Sequence, residues 1–336
     1  MVAYVIRRLA IGVVLLLVMS FITFAMFFSG PDPARYTCGK NCTPELVEQN
    51  RKALGYDKPW PVQWVNFVKG IAVGRDFPDD PELKKVAPET IARCDAPCLG
   101  YSPMANAPVG SILKDRIPVS ASLAVSAFLL WMIMGLVGGV VAALRKGTLI
   151  DRSLVGVALV FYAFPTFFIG LSLYIFLALK WTIVPIPTYT AFKDGPLLWL
   201  QGLLLPALTL ALFYAAGYVR LTRAFVLESL SEDYLRTAKA KGLSPARILF
   251  KHTMRASLTP IVTIAGLDLA GLLGGAIITE QVFNYDGLGK LAVQSAQTFD
   301  LPMTVGIVVL LASFVILANI IVDVLYAFID PRVKLA

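Results

Sequence analysis

The sequence predicts an all-α integral membrane protein with six transmembrane helices and a small extracytoplasmic domain between helices 1 and 2. Of its 336 residues, 57% are hydrophobic and 15% are charged, whereas soluble domains are about 45–50% apolar and about 25% charged. The mean hydropathy of +0.72 excludes a disordered chain and disfavours a soluble enzyme. Six apolar stretches approach or exceed the roughly 20 residues that cross a bilayer: Leu9–Phe28, Val119–Leu144, Leu154–Leu179, Leu197–Val219, Ile261–Ile278 and Thr304–Phe328.

The elements follow from these stretches in chain order. Residues 1–29 are predicted to be a retained first transmembrane helix, because the apolar stretch is longer than a signal-peptide core and lacks a cleavage site. Residues 30–118 carry 12 basic and 11 acidic side chains, which indicates a solvated domain. A five-helix core at 119–328 follows, interrupted by a polar loop at 220–259, and a short tail at 329–336 completes the prediction. Pro165 and Pro206 are expected to kink the third and fourth transmembrane helices of the protein.

The charge distribution predicts the orientation in the membrane. One side, which holds both ends of the chain and the polar loop, carries 15 basic and five acidic residues; the other side carries 15 of each. Because Lys and Arg accumulate on the cytoplasmic side, we expect a multi-pass protein of the cell membrane with both ends in the cytoplasm. The net charge of +8 is therefore a topology signal, and no nucleic-acid partner is expected.

All four cysteines lie in the predicted external domain, as Cys38, Cys42, Cys94 and Cys98. An oxidising compartment favours disulfides, which would stabilise a domain with a small core. Three pairings are possible and the spacing does not choose among them. A zinc site built from the four thiolates is the alternative, although no metal is expected on this chain.

The polar loop is predicted to form a helix–turn–helix. Ser231 is the expected N-cap of the first helix, followed by acidic residues that favour a helix N-terminus. Gly242 stands where a left-handed residue ends that helix. Ser244 is the expected N-cap of the second helix, with Pro245 in its first position, and Pro260 is expected to begin the next transmembrane helix.

Two functions fit this helix pair. The small side chains of Ala238 and Ala240 would let a partner approach the first helix closely, and apolar residues would anchor the pair in a groove of another protein. Alternatively, the pair lies on the inner leaflet, held there by its basic residues. The proposed anchors are Leu235, Leu243, Ile248, Leu249 and Phe250.

From Tyr234 to Gly242 the loop reads Tyr-Leu-Arg-Thr-Ala-Lys-Ala-Lys-Gly. This segment resembles the EAA loop of binding-protein-dependent ABC importer permeases, in the form found in the dipeptide/oligopeptide and nickel subfamily. The general pattern is Glu-Ala-Ala, three residues and Gly; here Arg236 and Thr237 replace the first two positions, as in the peptide subfamily. The usual Ile-x-Leu-Pro ending is also replaced, by 252–255, which favours a peptide-type importer over a sugar or amino-acid importer.

Further segments resemble the same subfamily in the same order. They are Tyr4–Leu9 at the start, Leu54–Pro59 early in the external region, Glu280–Gly289 and Asp330–Arg332 near the end. Asp286 stands where the family usually has proline, so this turn is expected to be less rigid. The resemblance covers essentially the whole chain except the cysteine-bearing parts of the predicted external domain.

The resemblance implies a permease subunit for di- or oligopeptides, with nickel chelates and some oligosaccharides as open alternatives. Its partners would be a second permease subunit, two ABC ATPase subunits and an extracytoplasmic solute-binding protein. No cofactor is expected on this chain, since ATP and Mg would bind the ATPases and Gly287–Lys290 lacks the complete P-loop pattern. The residues implied in ATPase coupling by the 231–255 helix pair are Asp233, Tyr234, Arg236, Thr237, Ala238, Ala240, Lys241, Gly242, His252 and Arg255.

The sequence defines the translocation pathway less clearly than it defines the polar loop. Asp268 is an acid well inside an apolar stretch, which makes it a functional candidate, paired with a partner subunit or facing a water-filled cavity. Gly271, Gly274 and Gly275 follow it, and such small residues usually permit close helix packing. A self-sufficient channel or ion-coupled transporter remains the alternative. An intramembrane enzyme is disfavoured, because the only histidine, His252, lies outside the predicted spans.

Overall fold

The structure, a computed structural model, describes residues 2–30, 32–38, 42–78, 89, 91–273 and 276–329. Helices account for most of this part of the chain. They are α1 (Val2–Phe28), α2 (Pro44–Ala53), α3 (Trp60–Val73), α4 (Val109–Leu144), α5 (Leu149–Ala163), α6 (Thr166–Leu173), α7 (Pro196–Ser231), α8 (Asp233–Ala240), α9 (Pro245–Arg247), α10 (Met254–Leu273), α11 (Ile277–Val282), α12 (Leu288–Gln297) and α13 (Leu301–Ile329).

Short irregular and extended elements complete the described residues. A π-helix, Tyr174–Lys180, continues α6, and a second one, Ile248–Thr253, joins α9 to α10. Two antiparallel hairpins lie between α3 and α4. They pair β1 (Arg75–Phe77) with β2 (Ala92–Cys94), and β3 (Tyr101–Ser102) with β4 (Ala107–Pro108).

The chain divides into two compact units. The first comprises Met1–Pro118 and Asp286–Ile316, and the second comprises Val119–Tyr285 and Leu317–Ala336. Helices α4 and α13 each contribute residues to both units. Residues 30–118 share the first unit with α1, and their assignment as an external domain stays a prediction.

Aromatic packing holds the first unit together. The rings of Phe24 on α1 and Phe67 on α3 are 5.5 Å apart, and Trp64 Nε1 donates to Ser20 Oγ at 3.0 Å. Leu301 and Val305 of α13 are buried in the same cluster. Residues of α1, α3 and α13 thus form one core in this unit.

Four helices of the described chain are long and apolar enough to cross a membrane: parts or all of α1, α4, α7 and α13. The apolar stretch at 154–179 differs from the single kinked helix that was expected. It belongs to α5 and α6, which meet at an angle of 102°. Pro165 is the N-cap of α6, so the proline breaks the helix completely. The stretch at 261–278 includes residues 274–275, outside the described part, and the count of six transmembrane helices remains a prediction.

Helices α4 and α7 approach each other closely in the second unit. A Cβ placed on Gly135 would lie 2.4 Å from Tyr218 Cβ, and one on Gly139 would lie 2.4 Å from Thr222 Cβ. Trp131, fully buried, stacks on Tyr214 with ring centroids 4.6 Å apart. Glycine on α4 thus lets α7 reach the centre of this unit.

Candidate functional site

The candidate site is the helix–turn–helix segment, residues 231–255. The N-cap of its first helix, α8, lies one residue later than the expected Ser231. Ser231 is the last residue of α7, and its hydroxyl donates to the carbonyl of Glu228 at 2.7 Å. The N-cap of α8 is Glu232, which has extended backbone geometry and makes no side-chain cap bond. Helix α7 therefore runs directly into the segment, with one residue separating it from α8.

The turn after α8 has the predicted geometry. Gly242 has φ +75°, in the left-handed region that favours glycine. Its N–H donates to the carbonyl of Lys239 at 2.9 Å, and the N–H of Leu243 donates to Ala238 at 3.3 Å. This pair of bonds is the Schellman motif, which satisfies the last carbonyls of a helix. The turn is thereby fixed by the sequence itself.

The start of the second helix is also as predicted, but its end is not. Ser244 is the N-cap of α9, its hydroxyl accepting from Arg247 N–H at 3.4 Å, and Pro245 is in the first turn. Pro260 does not begin a transmembrane helix: it lies inside α10. The second helix instead continues from α9 through the π-helix into α10, so Pro260 lies in a helix interior, where it removes one backbone hydrogen bond.

The helix–turn–helix segment has a small core of its own. Leu235 is fully buried, and Ala238 and Ile248 pack against it, with Leu230 and Leu243 partly buried at the edge. Leu235 and Ile248 are therefore not exposed as anchors for a partner, and the coupling role implied for Ala238 stays a prediction. These side chains hold the two helices of the segment together.

A different set of side chains forms the outer surface of the segment. Phe250 is 75% exposed and Tyr234 is 45% exposed, which leaves two large apolar groups uncovered. Asp233 pairs with Arg236 at 3.2 Å on the solvent side of α8. His252 is partly buried, and the other implied coupling residues are exposed: Thr237, Ala240, Lys241, Gly242 and Arg255.

Ser257 ties the segment to the long helices, a role that the sequence did not indicate. Its hydroxyl lies 3.0 Å from Ser229 Oγ on α7 and within hydrogen-bond distance of the carbonyls of Phe225 (3.2 Å) and Thr253 (2.9 Å). Ser257 is buried, so these bonds are shielded from water. Hydrogen bonds thus join the end of α7 to the start of α10, next to the two ends of the helix–turn–helix segment.

A second buried link was also missed by sequence reasoning. Arg223 on α7 binds Asp151 on α5 with two bonds, Nε to Oδ1 at 2.7 Å and Nη2 to Oδ2 at 2.9 Å. The N–H of Gly147 also donates to Asp151, at 2.9 Å. This bidentate geometry is the strong form of an Arg–carboxylate pair. Helix α5 is thereby fixed to α7 next to the helix–turn–helix segment.

The candidate pathway residues are only partly brought together. Tyr218 Oη donates to Asp268 Oδ2 at 2.6 Å, so the acid has a partner within its own chain. A Cβ on Gly271 would meet nothing within 4 Å, so this glycine does not mark close packing inside the chain. Gly274 and Gly275 lie outside the described residues.

The structure contains a disulfide between Cys94 and Cys98, one of the pairings that the sequence left open. Both cysteines are buried beside Phe77. Cys42 is disulfide-bonded as well, and the side chain of Cys38 lies outside the described residues. In the part of the chain that the structure covers, no group of three His, Cys, Asp or Glu side chains could hold a metal ion.

These features define a class of protein: an integral membrane protein of apolar helices with a helix–turn–helix segment bonded to two of them. The family model for the binding-protein-dependent transport system inner membrane component matches residues 135–335, and the model for the N-terminal part of such components matches residues 1–124. The chain belongs to this family of inner membrane transport components.

Curated relatives match over nearly their whole length. A probable peptide ABC transporter permease protein of Sinorhizobium fredii, y4tP, is 33% identical, with 98% of this chain and 99% of the relative covered. The dipeptide transport system permease protein DppB of Escherichia coli K12 is 31% identical, with 99% of each chain covered. A putative peptide transport system permease protein of Brucella abortus is 32% identical over the same shares.

Solved structures support the fold. A chain of the MetNI methionine ABC transporter in an inward-facing conformation aligns with a TM-score of 0.51 at 17% identity. The alignment covers 66% of this chain and 97% of that chain. A second crystal form of the same transporter aligns with a TM-score of 0.53. The fold is therefore that of an ABC importer permease.

Proposed function

We propose that the chain is the permease subunit of an ATP-driven importer of di- or oligopeptides. The peptide substrate is carried over from the relatives named above, each of which is a peptide transport permease by name. The remaining subunits would be a second permease, two ABC ATPases and an extracytoplasmic solute-binding protein. ATP and Mg would bind the ATPases, and both ends of this chain would lie in the cytoplasm.

One observation carries the coupling role: the helix–turn–helix segment is packed on itself, exposes the large apolar side chains of Tyr234 and Phe250, and is bonded to α7 and α10. A segment that is packed on itself can transmit force without unfolding. Phe250 and Tyr234 remain free to enter a groove of an ATPase. When two ATPases close on ATP, movement of the segment would pass through Ser257 to α7 and α10. Such rigid-body transmission is how alternating access is driven in transporters.

The test is substitution of the most exposed apolar side chain of the segment. Phe250→Asp should insert and fold normally, because 75% of the side chain is exposed, yet reduce co-purification of the ATPases at least tenfold. Phe192→Asp is the matched control: Phe192 is 61% exposed and lies in the loop predicted to be external. Both variants are purified in mild detergent, and co-purified ATPases are quantified by mass spectrometry.

The same experiment separates the alternatives. If the segment lay only on the inner leaflet, Phe250→Asp would leave ATPase recovery at the wild-type level. If the wild-type chain purified alone or as a homo-oligomer, with the segment intact, a self-sufficient channel or ion-coupled transporter would replace the importer as the function.

A further inference from the structure

A single carboxylate, Asp268, lies well inside α10 and is hydrogen-bonded to a tyrosine. Tyr218 Oη donates to its Oδ2 at 2.6 Å, and Tyr214, one turn earlier on α7, interacts with it electrostatically. Among the described residues, no Lys, Arg or His side chain forms an ion pair with Asp268. Because a charge inside a membrane is costly without a partner, a cation from outside this chain would stabilise the carboxylate.

Asp268 stands at the edge of the open face of α10. Ile261 and Ala265, toward one side, are fully buried in the core of the second unit. Toward the other side, Leu267 is 50% exposed and a Cβ on Gly271 would meet open space. Asp268 itself is half-buried, so a ligand can approach its carboxylate from the open face.

The surroundings suit an organic ammonium better than a metal ion. A carboxylate oxygen accepts several hydrogen bonds, so the oxygen that Tyr218 does not occupy can accept from a ligand. Aromatic rings attract ammonium groups, and Tyr214, which is partly exposed and held by stacking on the fully buried Trp131, offers such a ring. Among the residues that the structure describes, no group of three His, Cys, Asp or Glu side chains stands here to hold a metal ion.

We propose that Asp268 binds the protonated amino group of the substrate during translocation, with Tyr218 positioning the carboxylate. The inference rests on the proposed function as a peptide importer. A peptide supplies the required chemistry, because its terminal amine has a pKa of about 8 and is mostly protonated at neutral pH. Tyr214 and the carboxylate of Asp268 would then recognise the terminal amino group, which peptides share whatever their side chains are.

The test compares Asp268→Asn with Asp268→Glu in proteoliposomes that contain the complete importer and its binding protein. We expect Asp268→Asn to reduce uptake of an unmodified tripeptide at least tenfold, and Asp268→Glu, which keeps the charge, to retain at least one third. ATP hydrolysis stimulated by the loaded binding protein and recovery of the second permease subunit should stay within twofold of wild type. Uptake of the des-amino analogue should not change between wild type and Asp268→Asn.

Three results would overturn this inference and leave the proposed function standing. They are wild-type uptake by Asp268→Asn, a parallel tenfold fall for the des-amino analogue, and loss of the second permease subunit from Asp268→Asn. The last result would mean that Asp268 pairs with a cation of the partner. If the wild-type importer took up no peptide, the proposed function itself would fail, and the inference with it.

Discussion

At the scale of the residue, Gly242 is the position where backbone geometry is most demanding in the helix–turn–helix segment. Its φ of +75° disfavours side chains, although a Cβ there would meet nothing within 4 Å. Gly242→Val should therefore cost about 1–2 kcal/mol through the backbone alone. We expect peptide uptake to fall while membrane insertion is unchanged, as measured by transport and by immunoblotting of membranes.

Gly242→Asn is the matched control for this prediction, because asparagine tolerates the left-handed region better than valine does. It should retain more transport than Gly242→Val. Equal transport by wild type and Gly242→Val would count against a role of this turn in coupling.

Asp300 gives a pH prediction for the first unit. Burial raises the pKa of Asp300, against the opposing hydrogen bonds from the Ser102 hydroxyl and the Met303 N–H. A raised pKa means that the folded protein prefers the protonated acid. Its stability therefore falls as pH rises from about 4, the ordinary pKa of Asp, through the raised value.

Asp300→Asn removes this titration and keeps an acceptor at the start of α13. The measured quantity is the difference in melting temperature, wild type minus Asp300→Asn. We expect this difference to decrease between about pH 4 and the raised pKa of Asp300, and to stay constant above it. The measurement is thermal unfolding in detergent at several pH values. A difference that grows with pH would show that the ionised acid is the favoured form.

Which residues could be predicted depends on how far apart their partners lie in sequence. The left-handed Gly242 and the Ser244 cap follow from neighbours within four positions, so the sequence predicts them. Ser257 with Ser229, and Arg223 with Asp151, are 28 and 72 positions apart. Those pairs depend on helix packing, for which a single sequence carries no direct signal.

At the scale of the element, the contact of α4 with α7 yields the next prediction. A Cβ on Gly139 would lie 2.8 Å from the backbone oxygen of Val219, which cannot move independently of its helix. Gly139→Ala should cost about 1–3 kcal/mol through overpacking. Gly156→Ala on α5 is the control, because its Cβ would meet nothing within 4 Å and alanine favours a helix.

The measurement is the melting temperature of each variant in the same detergent. We expect a decrease for Gly139→Ala and no decrease for Gly156→Ala. Equal decreases would mean that glycine serves flexibility in both helices, and the close approach of α4 and α7 would lose its energetic significance.

Element boundaries show where hydropathy stops being informative. Hydropathy places an apolar stretch at 197–219, but α7 continues to Ser231, because the i→i−4 hydrogen bonds of a helix do not require apolar side chains. It cannot separate a kink at Pro165 from the 102° break between α5 and α6 either. The angle depends on what the two helices pack against, and proline marks only the position.

At the scale of the whole molecule, composition identified the membrane protein, and the family match established the transport component. Neither of these observations fixes which side of the membrane each loop occupies. The orientation rests on the 15 basic and five acidic residues assigned to one side, against 15 of each on the other. This argument is physical, since positively charged loops are retained in the cytoplasm, and it is open to direct measurement.

Two alanine positions provide that measurement. Ala105 lies in the predicted external region and Ala246 in the helix–turn–helix segment, and both are exposed. The experiment uses intact cells in which the reagent reaches the outer face of the cell membrane. A membrane-impermeant thiol reagent should then label Ala105→Cys and not Ala246→Cys. After permeabilisation both should react, with the unsubstituted chain as the background for its native cysteines. The reverse pattern would place the helix–turn–helix segment outside, where no ATPase could reach it, and would overturn the coupling role together with the orientation.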